Sequence, residues 1–186
     1  ENGRKKVKKW IGGEYESVTF IDSVSGSKQL LLSTESHLLL FNIDEVSQKS
    51  IVYKSNLPDS SGIKNISRLS KNTWIVSSLD NHLFNVKVEN SKLVFTPIAL
   101  PGEVENNVLF VQSFGLNKFW VFTQAGVWNE YKILEDKPTL VSTVFDPIFS
   151  SKIVPNVLFE DNEGNIWIGT FGSGLYKFAL KRSAFL

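Results

Sequence analysis

The sequence predicts an all-β fold of about four four-stranded antiparallel β-propeller blades, and three observations carry that prediction. The 186 residues include 14 Phe, 5 Trp and 4 Tyr among many Val, Ile and Leu, a composition that fits the pleated strand surface better than the helix. A short apolar run ending in a hydroxyl residue recurs at Thr34, Ser78, Thr123 and Thr170, in steps of 44, 45 and 47 residues. Four short strands in about 45 residues is the length of one blade. No stretch keeps a 3.6-residue apolar period between capping residues, so no α-helix is expected.

Each unit reads in the same order. Its first apolar run falls at 18–21, 63–69, 108–114 and 157–159. The second is clearest in the last unit, as Ile166, Trp167, Ile168, Gly169 and Thr170. Trp74, Ile75, Val76, Ser77 and Ser78 match it, and 119–123 and 30–34 match it more loosely. A short polar or glycine turn then leads to a third run, at 38–41, 83–86, 127–131 and 175–178. A fourth follows in three units, at 50–53, 92–98 and 140–145. Gly26 and Gly164 fall in the turns between first and second strands, where glycine takes positive φ freely. Longer loops with Pro, Gly or Ser, such as 57–62 and 101–105, divide the units, with approximate bounds 12–56, 57–100, 101–148 and 149–186. Residues 1–11 supply one further strand, of a neighbouring blade or of a closing one. The chain starts at Glu1 and has no Met, so it reads as an excised or processed piece; four blades of a larger ring and a sealed four-bladed ring both fit.

Composition narrows the function classes. Lys and Arg number 20 against 19 Asp and Glu, and a net charge of +1 gives no drive toward nucleic acid. With no Cys there is no disulfide, thiolate nucleophile or Cys-ligated zinc. No apolar run approaches the roughly eighteen residues of a membrane span, so membrane attachment would come only through parts of a parent chain. The basic run Arg4 to Lys9 reads as an edge strand whose lysines discourage pairing with other chains; contact with an acidic polysaccharide is the other reading.

The glycines at 169, 172 and 174 stand in the wrong order for a dinucleotide fingerprint, lack a Walker lysine and lead into a strand. They read as structural: Gly169 leaving room for a neighbouring blade, and Gly172 or Gly174 left-handed. There is no Gly-x-Ser-x-Gly elbow and no His-Glu-x-x-His, so no catalytic residue is expected and the segment is not read as an enzyme. His37 and His82, at turn positions that Gly126 and Gly174 fill in the other units, read as left-handed turn residues rather than metal ligands. No metal or cofactor is expected. Trp74, Trp120 and Trp167 are assigned to the core between blades, and Trp128 to the surface, as a possible platform for a sugar.

The pattern Phe159, Asp161, Gly164, Ile166, Trp167, Ile168, Gly169, Thr170, then Gly174, Leu175 and Phe178, resembles the two-component regulator propeller repeat. The second unit follows it with Ser77 and Ser78 in place of Gly-Thr, and the first and third follow it loosely. The resemblance implies an extracytoplasmic (periplasmic) sensor propeller of a Bacteroidetes hybrid two-component system, in an inner-membrane parent carrying a histidine kinase. It also implies more blades than four.

Binding is expected rather than chemistry. Loops joining second and third strands, with the links between blades, gather at one rim of a propeller. The ligand-binding residues expected there are His37, Asp80, Asn81, His82, Gln124, Phe171 and Ser173. Polar side chains with few charges fit an oligosaccharide, sensed by a homodimer of the parent, with no nucleic acid bound by this segment. A propeller scaffold for protein partners is the alternative; the absence of Trp-Asp strand ends argues against it.

Overall fold

The computed structural model describes residues 17–43, 51–101, 108–115, 117–123, 125–134, 137–145 and 153–179. Every regular element within them is a strand. The first sheet holds β1 (Phe20–Ser23), β2 (Gln29–Ser33), β3 (Leu38–Asn42) and β4 (Ile51–Ser55). The second holds β5 (Ile63–Ser70), β6 (Thr73–Ser78), β7 (Leu83–Glu89) and β8 (Lys92–Ile98). The third holds β9 (Val108–Ser113), β10 (Lys118–Thr123), β11 (Val127–Leu134) and β12 (Lys137–Phe145). The fourth holds β13 (Pro155–Glu160), β14 (Asn165–Thr170) and β15 (Leu175–Ala179). All four are antiparallel meanders in chain order, and each lies inside one repeat unit. The strand expected within 1–11 lies outside the described residues.

The recurring hydroxyl has a local cause. Ser78, Thr123 and Thr170 each end a second strand and Thr34 directly follows one; each accepts, through the side-chain oxygen, a backbone N–H from the residues that follow. The donors are His37 at 3.0 Å, His82 at 3.1 Å, Val127 at 3.3 Å and Ser173 at 3.2 Å. An exposed hairpin end thereby keeps one donor satisfied without a longer loop. Gly26 at φ 77° and Gly164 at φ 80° adopt the expected left-handed turn conformation.

Alternation along each strand assigns one face to the preceding sheet and one to the next. Leu31, Leu38 and Leu40 of the first sheet share a buried cluster with Trp74, Val76 and Phe84 of the second. Ile75 and Leu83 of the second share one with Val111, Phe119 and Val121 of the third. Trp120, Phe122 and Trp128 of the third share one with Leu158, Ile166 and Ile168 of the fourth. Sheets therefore stack face to face in sequence, as blades do.

The structure corrects four expectations. Trp74 and Trp120 are core, 0% and 7% exposed, but Trp128 is also core at 4% while Trp167 is only half-buried. Trp128 lies on the third sheet's face toward the fourth, 4.7 Å edge-on from Phe122 and 5.2 Å from Phe178 between ring centroids. Trp167 lies on the fourth sheet's outer face, against which no described sheet packs. Gly169 makes room within its own sheet: a Cβ there would stand 2.8 Å from Val157 Cγ1, on the neighbouring strand. Gly172 and Gly174 are both left-handed, at φ 83° and 90°. His37 and His82 are not; in the second unit Asn81, at φ 66°, takes the left-handed place one residue earlier.

Candidate functional site

Among the described residues the first strand of each sheet is paired with another strand on one side only. Such edges present backbone N–H and C=O groups, and these edges border a common cavity of about 720 Å³. Its wall takes Thr19 and Asp22 from the first blade, Lys64 and Arg68 from the second, Gln112 from the third and Asn156 from the fourth. A cavity bounded mainly by polar side chains and strand edges is suited to an oxygen-rich ligand.

Two sets of contacts fix this wall. Asp22 Oδ2 accepts from Arg68 Nε at 2.5 Å and from Trp74 Nε1 at 2.9 Å, and the guanidinium lies 5.3 Å from the Trp74 ring centroid. Arg68 also donates to the carbonyls of Ser23 and Lys71. Burial pushes the Asp22 carboxyl upward, but the Arg68, Trp74 and Ser23 hydrogen bonds outweigh it and hold its pKa below the ordinary value. At the next seam Ser67 Oγ accepts from Gln112 Nε2 at 3.0 Å and from the Ser113 N–H at 2.9 Å. Asn65 Oδ1 and Ser113 Oγ, on wall residues, are buried with no hydrogen-bond partner among the described residues.

Lys64 differs from Arg68 in its partners. Its ammonium donates to Asn81 Oδ1 at 2.9 Å and to the Val108 carbonyl at 2.6 Å, both neutral, and burial lowers its pKa. The charged groups on the cavity wall are Asp22, Lys64 and Arg68. One carboxylate against two cations leaves a net +1, located at Lys64 because Arg68 is paired.

The residues expected at the rim are distributed differently. Asn81 and His82 line a second cavity, of about 460 Å³, with Asp59 and mainly apolar neighbours. His82 Nδ1 lies 2.9 Å from Asp59 Oδ2, and Asn81 stands between this cavity and the central one through its bond to Lys64. Asp80 is exposed beside them but lines neither cavity. His37 belongs to the first blade, its Nδ1 2.7 Å from Ser36 Oγ; Phe171, 82% exposed, and Ser173 belong to the fourth. Gln124 lies outside the described residues. The links between blades do meet these turns: the Ile63 N–H donates to the Glu35 carbonyl at 2.7 Å, and Leu79 N–H to the Gly62 carbonyl at 2.9 Å. Gly62 is required there, since a Cβ would come within 2.9 Å of the Glu35 carbonyl oxygen.

Asp22, Lys64 and Arg68 were not singled out from the sequence. The signal was available: they are charged residues inside first-strand runs that otherwise read as apolar or small polar. Among the described residues, no group of three or more His, Asp or Glu stands close enough to hold a metal ion.

Antiparallel sheets of three or four described strands, stacked face to face around a cavity bounded by their first strands, define a β-propeller. Residues 148–172 match the family model described as two component regulator propeller, the repeat that the motif of the last unit resembles. No curated protein matches the chain by sequence. Among solved structures, the N-terminal domain of Nup159 is similar at 14% identity and TM-score 0.58, over 96% of this chain and 51% of that one. A luciferin-regenerating enzyme is similar at 17% identity and TM-score 0.56, over 88% of this chain and 59% of that one. The computationally designed Ika4 protein is similar at 10% identity and TM-score 0.61, over 93% of this chain and 98% of that one. At these identities the likeness shows the fold alone. The chain thus spans about half to three fifths of the two natural proteins.

Proposed function

We propose that this chain is the ligand-recognition part of a sensor propeller, lying outside the cytoplasm in a hybrid two-component histidine kinase and responding to an oligosaccharide. The observation that carries the reading is the two component regulator propeller match at residues 148–172, on a fold whose first strands border a polar cavity of about 720 Å³. The segment itself binds and does no chemistry; the parent kinase, as a homodimer, reads the change. A ligand shifts such a dimer only by binding one arrangement better than the other.

The sugar would lie against the strand edges, with Gln112 and Asn156 reaching its hydroxyls. Hydroxyl ligands suit this wall because each amide both donates and accepts. The test is calorimetric titration of the chain with a panel of neutral and acidic oligosaccharides, repeated with Gln112→Ala and Asn156→Ala. Binding weakened by both changes supports the central cavity. Binding weakened only by Asn81→Ala and His82→Ala moves the site to the second cavity, and no binding to any sugar rejects the oligosaccharide reading. A scaffold for a protein partner is the second reading, favoured by the exposed Val157, Phe159 and Leu175 on the fourth blade.

A further inference from the structure

We infer that Lys64 is an oxyanion site, and that the ligand of the central cavity carries a carboxylate or sulfate group there. This rests on the cavity being the recognition site and deepens it by naming the ligand's charge. Among the described residues three charged groups line the cavity, and two of them, Asp22 and Arg68, neutralise each other through a direct ion pair. The third, Lys64, is partly buried and, among the described residues, meets the Asn81 side-chain oxygen and the Val108 carbonyl. A partly desolvated ammonium held by two neutral acceptors has no carboxylate beside it among the described residues, whereas a cation taken out of water is normally paired. Its third N–H remains for a further acceptor, since an ammonium has three donors.

An anionic oxygen at that position would supply both missing elements, a charge and an acceptor, in one charge-assisted hydrogen bond. Burial lowers the Lys64 pKa, so an arriving anion would raise it again and ligand binding would favour the protonated amine. On the same wall Asn65 Oδ1 and Ser113 Oγ have no partner among the described residues, and hydroxyls of the same ligand would meet them after small rotations. The ligand class is therefore an oligosaccharide with a uronate or a sulfate ester, or another polyhydroxylated oxyanion. Neutral sugars fit the hydroxyl contacts but leave Lys64 uncompensated.

The test uses the 186-residue chain and four probes: a neutral disaccharide, a uronate-bearing disaccharide, a sulfated disaccharide and inorganic sulfate. Titrations are followed by calorimetry and by the ¹⁵N shifts of residues 63–66. Acidic disaccharides are expected to bind at least tenfold more tightly than the neutral one. Lys64→Met should remove that preference, the acidic disaccharides losing at least tenfold more affinity than the neutral one, while Lys64→Arg should retain it. Circular dichroism of each variant checks that it folds. The uronate and sulfate arms distinguish the two sources of the oxyanion. Equal affinity for neutral and acidic disaccharides, or an acidic preference that survives Lys64→Met, overturns the assignment while leaving sugar recognition in place. Inorganic sulfate shifting residues 63–66 with no disaccharide bound supports the oxyanion site and removes the oligosaccharide reading. No shift or heat with any acidic probe overturns the oxyanion site.

Discussion

Trp167 donates its indole N–H to Asp161 Oδ2 at 2.8 Å, tying the second strand of the last blade to the turn that precedes it. Asp161 Oδ1 accepts the backbone N–H groups of Glu163 at 3.0 Å and Asn165 at 2.9 Å, and the Asn165 amide bridges both carboxylate oxygens. The spacing Asp161, Gly164, Trp167 is therefore one physical unit: an acceptor, the left-handed residue that folds the turn over it, and a donor returning from the strand. In the second blade the tryptophan stands one position earlier in the strand, on the opposite face, and Trp74 donates instead across the seam to Asp22 of the first blade.

The Asp161 carboxyl should make stability pH-dependent. The Trp167 bond, then those from Asn165 and Glu163, depress its pKa well below the usual carboxylate range. A group whose folded pKa lies below its unfolded one contributes fully above the unfolded value, about 3.9, and loses that contribution as pH falls toward the folded one. Asp22 and Asp59 are depressed as well and act in the same direction. The melting temperature of the wild type should thus drop progressively below about pH 4, with a shallower drop for Asp161→Asn. Parallel curves for the two proteins would remove Asp161 from the account.

The two tryptophans should separate in denaturant. Trp128 is 4% exposed among Phe122, Trp120 and Phe178, and Trp128→Ala should cost about 3–5 kcal/mol, the range for emptying a large aromatic site. Trp167 is half-buried, and its loss removes one hydrogen bond and part of a ring contact, about 1–2 kcal/mol. Urea midpoints measure the difference; a larger shift for Trp167→Ala would contradict the burial pattern.

Removing Asp22 should cost more than an exposed ion pair does. Its carboxylate holds both the Arg68 guanidinium and the indole N–H of Trp74, a residue 0% exposed. Asp22→Ala leaves that indole donor unpaired and should destabilise by about 2–3 kcal/mol, whereas truncating a surface partner costs under about 1 kcal/mol. Lys118→Ala, which removes the 3.4 Å contact to Glu130, is the surface control. Equal midpoint shifts for the two would show that the seam between blades does not depend on Asp22.

Strand order and blade boundaries were legible because the repeat shows twice, as apolar alternation and as a hydroxyl at the end of each second strand. Ser78 and Thr123 differ in size yet cap the same turn, so the position is constrained by one hydrogen bond and little else. Facing was not legible for single residues. Trp128 and Trp167 have the same chemistry, and only the direction in which blades stack decides that one is covered. The central cavity was missed for a related reason. Its charged residues, Asp22, Lys64 and Arg68, come from two strands more than 40 positions apart, and only sheet stacking brings them to one wall.

The outer face of the fourth blade carries the last prediction. Val157 pairs across the strands with Gly169, and Phe159 with Trp167; Gly169 in turn pairs with Leu175, so all share one face. Val157, Phe159 and Leu175 are 53%, 63% and 66% exposed. In the first three blades the corresponding face meets the next blade and is buried; Leu31, Ile75 and Trp120, the counterparts of Trp167, are 0%, 0% and 7% exposed. An apolar blade face left open to water favours association with a similar face or a further blade. The 186-residue chain alone is therefore expected to self-associate at micromolar concentration. Phe159→Glu with Leu175→Glu should shift it toward monomer without changing its circular dichroism, because neither side chain belongs to a buried cluster among the described residues. Light scattering across a dilution series measures this. A wild-type chain that stays monomeric at every concentration would mean that this face needs no partner.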